Sequence, residues 1–414
     1  MEPKPWYVPG KWYTSPLNWE PPVRAQMTGL PKKVFLRDVT MREGEETVGA
    51  IISPDARPEL ALKLDELGIG AIELPKLHST EAVADLVKSF RRAGVKTKIA
   101  YFSAKLRGDW QKDIDRALKI DADILDLHFS FSPLEIFSDF KAGVSKDEIL
   151  TTIEVAVPYA VERAREVAFG WSKATRTNLA TVKKMYGEAA QAGASHLHIY
   201  DSRGSVFPTT VRYFVQELKK EVGDRASLSI HCHNDFGLAT ANTLAAVEGG
   251  ADWCEVAING LGDRAGNASL EEVAASLQIL FGVDTGLKLE KLYALSKFAE
   301  KITGVTCQRN KAITGENAFL EESAAHMQQV GQSEEEGLPE ANVPFVGEVV
   351  GQTQRYVWGS STFWGNVLDL KVESMGLRPS IEQMEKIRKD LYAEICKKRF
   401  LTDAEVEEFL AAWS

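Results

Sequence analysis

From Lys33 to about residue 282 the chain alternates between two rhythms. Short runs rich in β-branched and aromatic residues are followed by longer stretches whose apolar residues recur every three or four positions. The short runs predict strands: "KVFLRDVT" from Lys33, "IGAIELP" from Ile69, "KTKIAYFS" from Lys96, "ADILDLHFSFS" from Ala122, "REVAFGWS" from Arg165, "ASHLHIYDS" from Ala194, "ASLSIHCHND" from Ala226 and "DWCEVAINGLGD" from Asp252. The longer stretches, such as "PDARPELALKLDELG" and "TNLATVKKMYGEAAQAGA", predict helices with glycine where each should stop. Eight strand–helix units in roughly 250 residues are the size of an α/β (β/α)8 TIM barrel. A doubly wound open sheet is the alternative, but no G-x-G-x-x-G opens the first helix, so dinucleotide binding has no support.

The flanks read differently. Residues 1–31 form an extension rich in proline and aromatics (Trp6, Tyr7, Trp12, Tyr13, Trp19), too apolar for a free tail and expected to pack on the barrel or a neighbouring subunit. The barrel is placed at 32–286 and a helical subdomain with linker at 287–344. The linker is the acidic stretch "GQSEEEGLPEANVP", and a smaller, mainly helical domain is expected over 345–414.

Composition narrows the picture. The 414 residues are 44% hydrophobic and 26% charged, enough to bury a large core. No run of about 18 uncharged apolar residues and no basic-then-apolar leader stands out, so no membrane span or secretory signal is expected and the default location is cytoplasmic. Cys232, Cys254, Cys307 and Cys396 lack C-x-x-C spacing, which predicts reduced, mostly buried thiols. A net charge of −10 disfavours general attraction to nucleic acid or anionic membrane, so an anionic ligand needs a local cluster of Arg or Lys.

Candidate chemistry gathers where the predicted strands end. In "SLSIHCHNDFG", His231 and His233 point to the same strand face, with Cys232 opposite, at the C-terminal end of the seventh strand. Active sites of barrels of this kind are built at that end. His196 and His198 in "SHLHIYD" share the spacing but lie earlier in their strand, and a structural role is expected for them. "RDVTMREGEE" brings Arg42 and Glu43 to the rim, and a carboxylate beside two imidazoles is a common divalent-ion set with positions left for substrate oxygens. "NGLGDRAGN" adds glycines that let the backbone approach closely and the amide oxygen of Asn267.

Three stretches, "DVTMREGEE", "HCHNDFGLATANTLAAVEGGA" and "NGLGDRAGNASLEE", together resemble the metal-dependent TIM-barrel family of isopropylmalate, homocitrate and citramalate synthases and hydroxymethylglutaryl-CoA lyase. The resemblance covers about residues 31–330. It implies that Glu43, His231 and His233 bind a divalent metal (Mg, Mn, Zn or Co), with Asn267 at or near its shell, and that Arg42 stabilises a developing oxyanion. "TGENAFLEESAAH" resembles a segment that follows the barrel in the synthases and is absent from the lyase. His326 falls on the synthases' catalytic histidine, and a homodimer with interlocked C-terminal regions is implied.

The expected activity is a Claisen-type condensation of acetyl-CoA, or a related acyl-CoA, with a 2-oxoacid, followed by thioester hydrolysis. His326 is the expected general base, since imidazole titrates near neutral pH. Departures from the family pattern are visible. Ser172 and Lys173 stand where an acidic residue is usual, and "DSRG" replaces "DTxG", giving Ser202 and Arg203. Glu45 and Glu46 replace "EQ", Leu74 replaces a glycine, and "AYFS" lacks an arginine. Lys173, Arg176 and Arg203 would favour a substrate with an additional anionic group, Ser202 offers a hydroxyl to a substrate carboxylate, and Glu73 could position substrate. The rivals are a carbon–carbon lyase of the hydroxymethylglutaryl-CoA type and a non-catalytic metabolite-binding relative.

Overall fold

The computed structural model describes residues 4–106, 109–129, 146–172 and 174–413. Eight parallel strands close into a barrel: β1 (Phe35–Asp38), β2 (Ala71–Glu73), β3 (Lys98–Lys105), β4 (Ile124–Phe129), β5 (Glu166–Trp171), β6 (His196–Asp201), β7 (Ser227–Cys232) and β8 (Trp253–Val256), with β8 pairing to β1. Seven lie inside the runs expected for them, β3 extends two residues past the end of its run, and the fold is the TIM barrel expected from the two rhythms. The helices that follow the strands are α1 (Ala56–Leu67), α2 (Thr80–Arg92), α3 (Trp110–Leu118), α4 (Lys146–Val161), α5 (Leu179–Gln191), α6 (Pro208–Val222), α7 (Ala239–Glu248) and α8 (Leu270–Ala275).

Local chemistry sets the helix ends. The Ser79 hydroxyl accepts from the Ala82 amide at 3.1 Å to start α2, and Asn178 Oδ1 caps α5 through the Ala180 amide at 3.0 Å. α1 stops at Gly68, whose φ of 97° is left-handed and disfavoured for any residue with a Cβ.

Strand parity layers the barrel interior. At the base Trp253 packs with Ala71, Ala100, Ile124 and Ala168, small residues that leave room for the indole. Two residues further along the strands comes a charged rung of Arg37, Glu73, Asp126, His198 and Glu255, every member buried. Beside and above this rung lie the rings of Phe102, His128, Tyr200 and His231, which line the cavity at the mouth. Gly170 makes the Tyr200 position possible, because a Cβ there would sit 2.5 Å from the tyrosine ring.

Two compact units divide the chain, one of Leu17–Cys307 and one joining Met1–Pro16 to Gln308–Ser414. The N-terminal aromatic stretch, expected to pack on the barrel or a neighbouring subunit, is therefore split. From Leu17 it belongs to the barrel unit: Trp19 lies under the Arg24 guanidinium at 4.4 Å, and Arg24 donates to the Phe281 carbonyl at 3.3 Å. The first part forms a hairpin of Tyr7–Val8 and Trp12–Tyr13 in the other unit, where the Lys11 carbonyl accepts from the Val346 amide at 2.8 Å.

The barrel unit also extends past residue 286 through α9 (Leu292–Thr303), tied to the loop after β8 by reciprocal hydrogen bonds between Ser296 and Asn259 at 2.6 and 3.1 Å. The acidic stretch read as a linker is partly helical. α10 (Ala324–Glu335) runs through its first five residues, which carry no proline, and the chain leaves the helix only at Gly337, φ 74°.

The C-terminal helices α11 (Val367–Ser374), α12 (Ile381–Lys398) and α13 (Asp403–Ala411) bury Trp358, Leu391 and Leu410 with a three-stranded sheet whose first strand is Leu320–Glu321. Among the described residues no helix is long and apolar enough to cross a membrane. All four cysteines are free; Cys232 and Cys254 are buried, but Cys307 is half-buried and Cys396 exposed, so the thiols are less buried than expected.

Candidate metal centre and active site

The parity that faces His231 inward carries His233 with it, one step beyond the end of β7. Their Nε2 atoms lie 3.2 Å apart, and Glu43 Oε1, from the turn after β1, is 3.3 Å from His233 Nε2. The three side chains are buried, and their donor atoms all lie within 4.8 Å of one another. Chain segments almost 190 positions apart thus present two imidazole nitrogens and a carboxylate to one point.

A divalent cation fits this donor set. His231 Nδ1 is hydrogen-bonded to Glu255 at 3.0 Å, which leaves Nε2 on the side of His233 and Glu43. Burial first, then the His231 ring and Arg264, push His233 down to about 2, so its imidazole is neutral, as a metal ligand must be. Among the described residues, nothing hydrogen-bonds to the buried His233 Nδ1 and Asn267 Oδ1. Asn267 sits opposite His233 in an isolated backbone bridge, with its amide nitrogen donating to the Leu261 carbonyl at 3.0 Å. The loop needs its glycines: at Gly266, φ 89°, a Cβ would run into the Gly260 carbonyl.

Arg42 is held at the same rim by three contacts. It forms ion pairs with Glu43 and Glu73, and its guanidinium lies over the Phe102 ring at 4.6 Å. Phe102, where the family pattern led us to look for an arginine, instead supplies a cation–π face. Glu73 is fully buried and also accepts from Arg37 at 2.7 Å. Burial alone would raise the Glu73 carboxyl, but Arg37 and Arg42 hold it below its ordinary value. It is not among the residues that line the cavity, so it bears on the site through Arg42.

The cavity above these groups has a volume of about 270 Å³. Besides Arg42, Glu43 and the histidines, its wall includes Phe102, His128, Ser172, Tyr200, Ser202 and Arg203. Ser172 Oγ and His128 Nε2 are 2.6 Å apart. The loop bearing Ser202 and Arg203 is pinned by Gly204, φ 51°, where a Cβ would stand 2.6 Å from the His233 carbonyl oxygen. Arg264 grips Asp235 through two hydrogen bonds at 2.6 and 2.8 Å and also pairs with Asp263. Arg203 is exposed, and among the described residues no carboxylate pairs with it.

The remaining expected residues fall elsewhere. Arg176, in the short turn Ala174–Arg176, is exposed and is not among the cavity-lining residues. Lys173 lies outside the described residues. His326 lies on α10 in the other unit, with its side chain 64% exposed and Nδ1 3.6 Å from Glu321. Of the departures at the first strand, Glu45 is committed to Arg57 and to the Ile52 amide at 2.9 Å, whereas Glu46 lines the cavity.

Beneath lies the charged rung, of which only Glu73 was among the expected site residues. Glu255 bridges His198 and His231, and Arg37 meets Asp126, Glu73 and His198. Burial works against the Glu255 charge, yet His198, then His231 and Arg37, hold it well below the usual carboxylate range. The available signal was parity: Arg37, Glu73, Asp126 and Glu255 are charged residues at inward positions of otherwise apolar strands. His196 pairs with Glu166 at 2.9 Å near the base, away from the three gathered side chains.

Comparison with known proteins places these features in a lineage. Residues 33–299 match the HMGL-like family model. The chain is 36% identical over 388 residues to a 2-isopropylmalate synthase of Methanocaldococcus jannaschii, covering 91% of this chain and 71% of that one. It is 35% identical over 381 residues to homocitrate synthase AksA of Methanopyrus kandleri, covering 92% of each. Among solved structures, the HMG-CoA lyase of Bacillus subtilis superposes with a TM-score of 0.57 at 21% identity, over 68% of this chain and 97% of that one, a likeness of fold. With the family model spanning the whole barrel and these relatives spanning most of the chain, the protein belongs to the HMGL-like family.

Proposed function

We propose that this protein is an acyltransferase that condenses acetyl-CoA, or a related acyl-CoA, with a 2-oxoacid and hydrolyses the thioester to a 2-hydroxy di- or tricarboxylic acid. The observation that carries this reading is the meeting of Glu43, His231 and His233 beside Arg42, in a chain with such extensive identity to a 2-isopropylmalate synthase and a homocitrate synthase. Glu43, His231 and His233, with Asn267 close by, would hold a divalent cation (Mg, Mn, Zn or Co), which would supply Lewis-acid polarisation of a keto group.

Arg42 faces the oxygen that becomes negative when the enolate carbon attacks the keto carbon. A fixed guanidinium aimed at that oxygen in a buried site is worth about 3 kcal/mol. Glu73, beneath it, keeps the guanidinium in place. Ser202 is proposed to hydrogen-bond the oxoacid's carboxylate and Arg203 to meet a further anionic group, since both line the cavity. His326 of the partner subunit is proposed to remove the α-proton of the acyl-CoA, which requires a homodimer. Exposed apolar side chains on the loops after β1, β6 and β7, among them Val48, Ile51, Phe207 and Phe236, support a rim covered in the assembled enzyme. Attack of water on the thioester then releases the CoA thiol. A cytoplasmic location accords with this chemistry.

The deciding experiment incubates purified protein with Mg or Mn, acetyl-CoA and a panel of 2-oxoacids and follows free thiol. Oxoacid-dependent CoA release is expected. No release with any oxoacid, together with cleavage of a 3-hydroxyacyl-CoA, replaces the synthase by a lyase. Absence of both, with metabolite binding intact, leaves a binding protein.

A further inference from the structure

We infer that Glu255, steadied by His198, is a positioning residue that decides which nitrogen of His231 is free to bind a cation. The inference rests on the metal centre proposed above. It starts from a group whose hydrogen-bonding role cannot vary. The Arg37 guanidinium has only donors, and its Nη1 lies 3.3 Å from His198 Nε2, so that nitrogen accepts and the ring hydrogen sits on Nδ1.

His198 Nδ1 then donates to Glu255 Oε1. The other oxygen, Oε2, lies 3.0 Å from His231 Nδ1 and accepts its hydrogen, because a carboxylate has no hydrogen to give. The His231 hydrogen is thus fixed on Nδ1, and Nε2 presents its lone pair toward His233 Nε2, 3.2 Å away. With the opposite tautomer, two lone pairs would face each other at Glu255 and an N–H would point into the cation seat.

The same Arg37 anchors the other side of the seat. Its Nη2 donates to Glu73 at 2.7 Å, Glu73 holds Arg42, and Arg42 holds Glu43. One buried cation therefore orients both the carboxylate and an imidazole of the triad through separate arms. His198, which shares its spacing with the triad histidines but does not join them, belongs to this arrangement as the element that gives Glu255 its direction.

The chain's seven histidines make the tautomer directly readable. In protein labelled with 15N at histidine, long-range 15N–1H correlation spectra of the metal-free enzyme should show His231 with hydrogen on Nδ1 and a bare Nε2, the signal being assigned by its loss in His231→Gln. Calorimetric titration with Mn²⁺ should show Glu255→Gln binding about 10- to 100-fold more weakly than the parent. His198→Phe should move in the same direction by less, and Glu255→Asp should recover part of the loss.

If Glu255→Gln does not fold, the spectrum of the parent decides alone. Hydrogen on Nε2 of His231, or unchanged Mn²⁺ affinity in a folded Glu255→Gln, overturns the positioning role while leaving the metal centre standing. A parent protein that binds no divalent cation overturns the metal centre itself, and the positioning role with it.

Discussion

Replacing Glu73 by glutamine tests whether the buried carboxylate holds Arg42 in place for chemistry or merely fills the barrel. Glu73 is fully buried and accepts from two guanidinium groups, Arg37 at 2.7 Å and Arg42 through Nε. At an effective dielectric near 20 each such pair attracts by about 4 kcal/mol, much of it offset by the desolvation of the charges. An amide keeps one oxygen for one arginine but turns an NH2 toward the other, so one buried guanidinium loses one of its carboxylate partners, Arg37 keeping Asp126 and Arg42 keeping Glu43. Breaking a buried pair in this way costs about 3–5 kcal/mol.

The barrel unit Leu17–Cys307, at about 2.1 cal/mol/K per residue, unfolds with an entropy near 0.6 kcal/mol/K, so about 4 kcal/mol lowers its midpoint by about 6–7 °C. If Arg42 then strays by an ångström, turnover should fall about 100-fold. Mn²⁺ affinity should fall far less than turnover, because Glu73 touches no member of the triad and reaches Glu43 only through Arg42. Calorimetric melting, Mn²⁺ titration and thiol release on one preparation separate these effects. A lowered midpoint with undiminished turnover would refute the positioning of Arg42 by Glu73, and an unchanged midpoint would refute the energetic reasoning.

Asp38 offers a pH test: burial above all, against hydrogen bonds from Thr40, raises its carboxyl to about 7, so its favourable contribution is complete below the unfolded value near 4 and is lost as pH rises through 7. Asp38→Asn should therefore gain on the parent in unfolding free energy from denaturant titration between pH 5 and pH 8, by a few kcal/mol at most since the amide keeps one of the Thr40 bonds; parallel pH profiles would contradict this. His233→Ala and Glu43→Gln should each abolish tight divalent-ion binding while His196→Ala retains it, as equilibrium dialysis would show; equal retention in all three would remove the metal assignment. Arg203→Gln should raise KM for dicarboxylic oxoacids about tenfold or more and leave KM for monocarboxylic oxoacids and acetyl-CoA unchanged, a uniform rise pointing instead to the CoA phosphates. Inactive Arg42→Ala and His326→Ala proteins, mixed and reassociated, should recover about a quarter of parental turnover if the base comes from the partner subunit, by the statistics of random dimer pairing; no recovery would place it elsewhere.

Much of the barrel was legible because its code is local. Period-2 apolar runs alternating with helical periodicity and glycine stops depend on neighbours within one element, and parity alone put His231 and His233 on one face. The limits of the units were less legible. The Trp12 hairpin and the strand Leu320–Glu321 join a unit built chiefly of residues after 345, through backbone pairing that no local pattern encodes. The helix through "GQSEE" was hidden by composition, since glutamine, serine and glutamate suit a helix as well as a solvated linker.

By itself, then, the sequence determined which barrel strand or helix most residues of 33–282 occupy and which face of a strand they take, because both follow from periodicity. Only the tertiary structure decided what those inward residues meet. Barrel closure sets β8 between β1 and β7, which brings Glu255 to His231 and gathers Glu43 with the two histidines. It also placed Glu73 beneath Arg42 rather than at the cavity wall and left Arg203 at that wall without a carboxylate among the described residues. These are distances between strands remote in sequence, fixed by closure and strand stagger, and no one-dimensional pattern carries them.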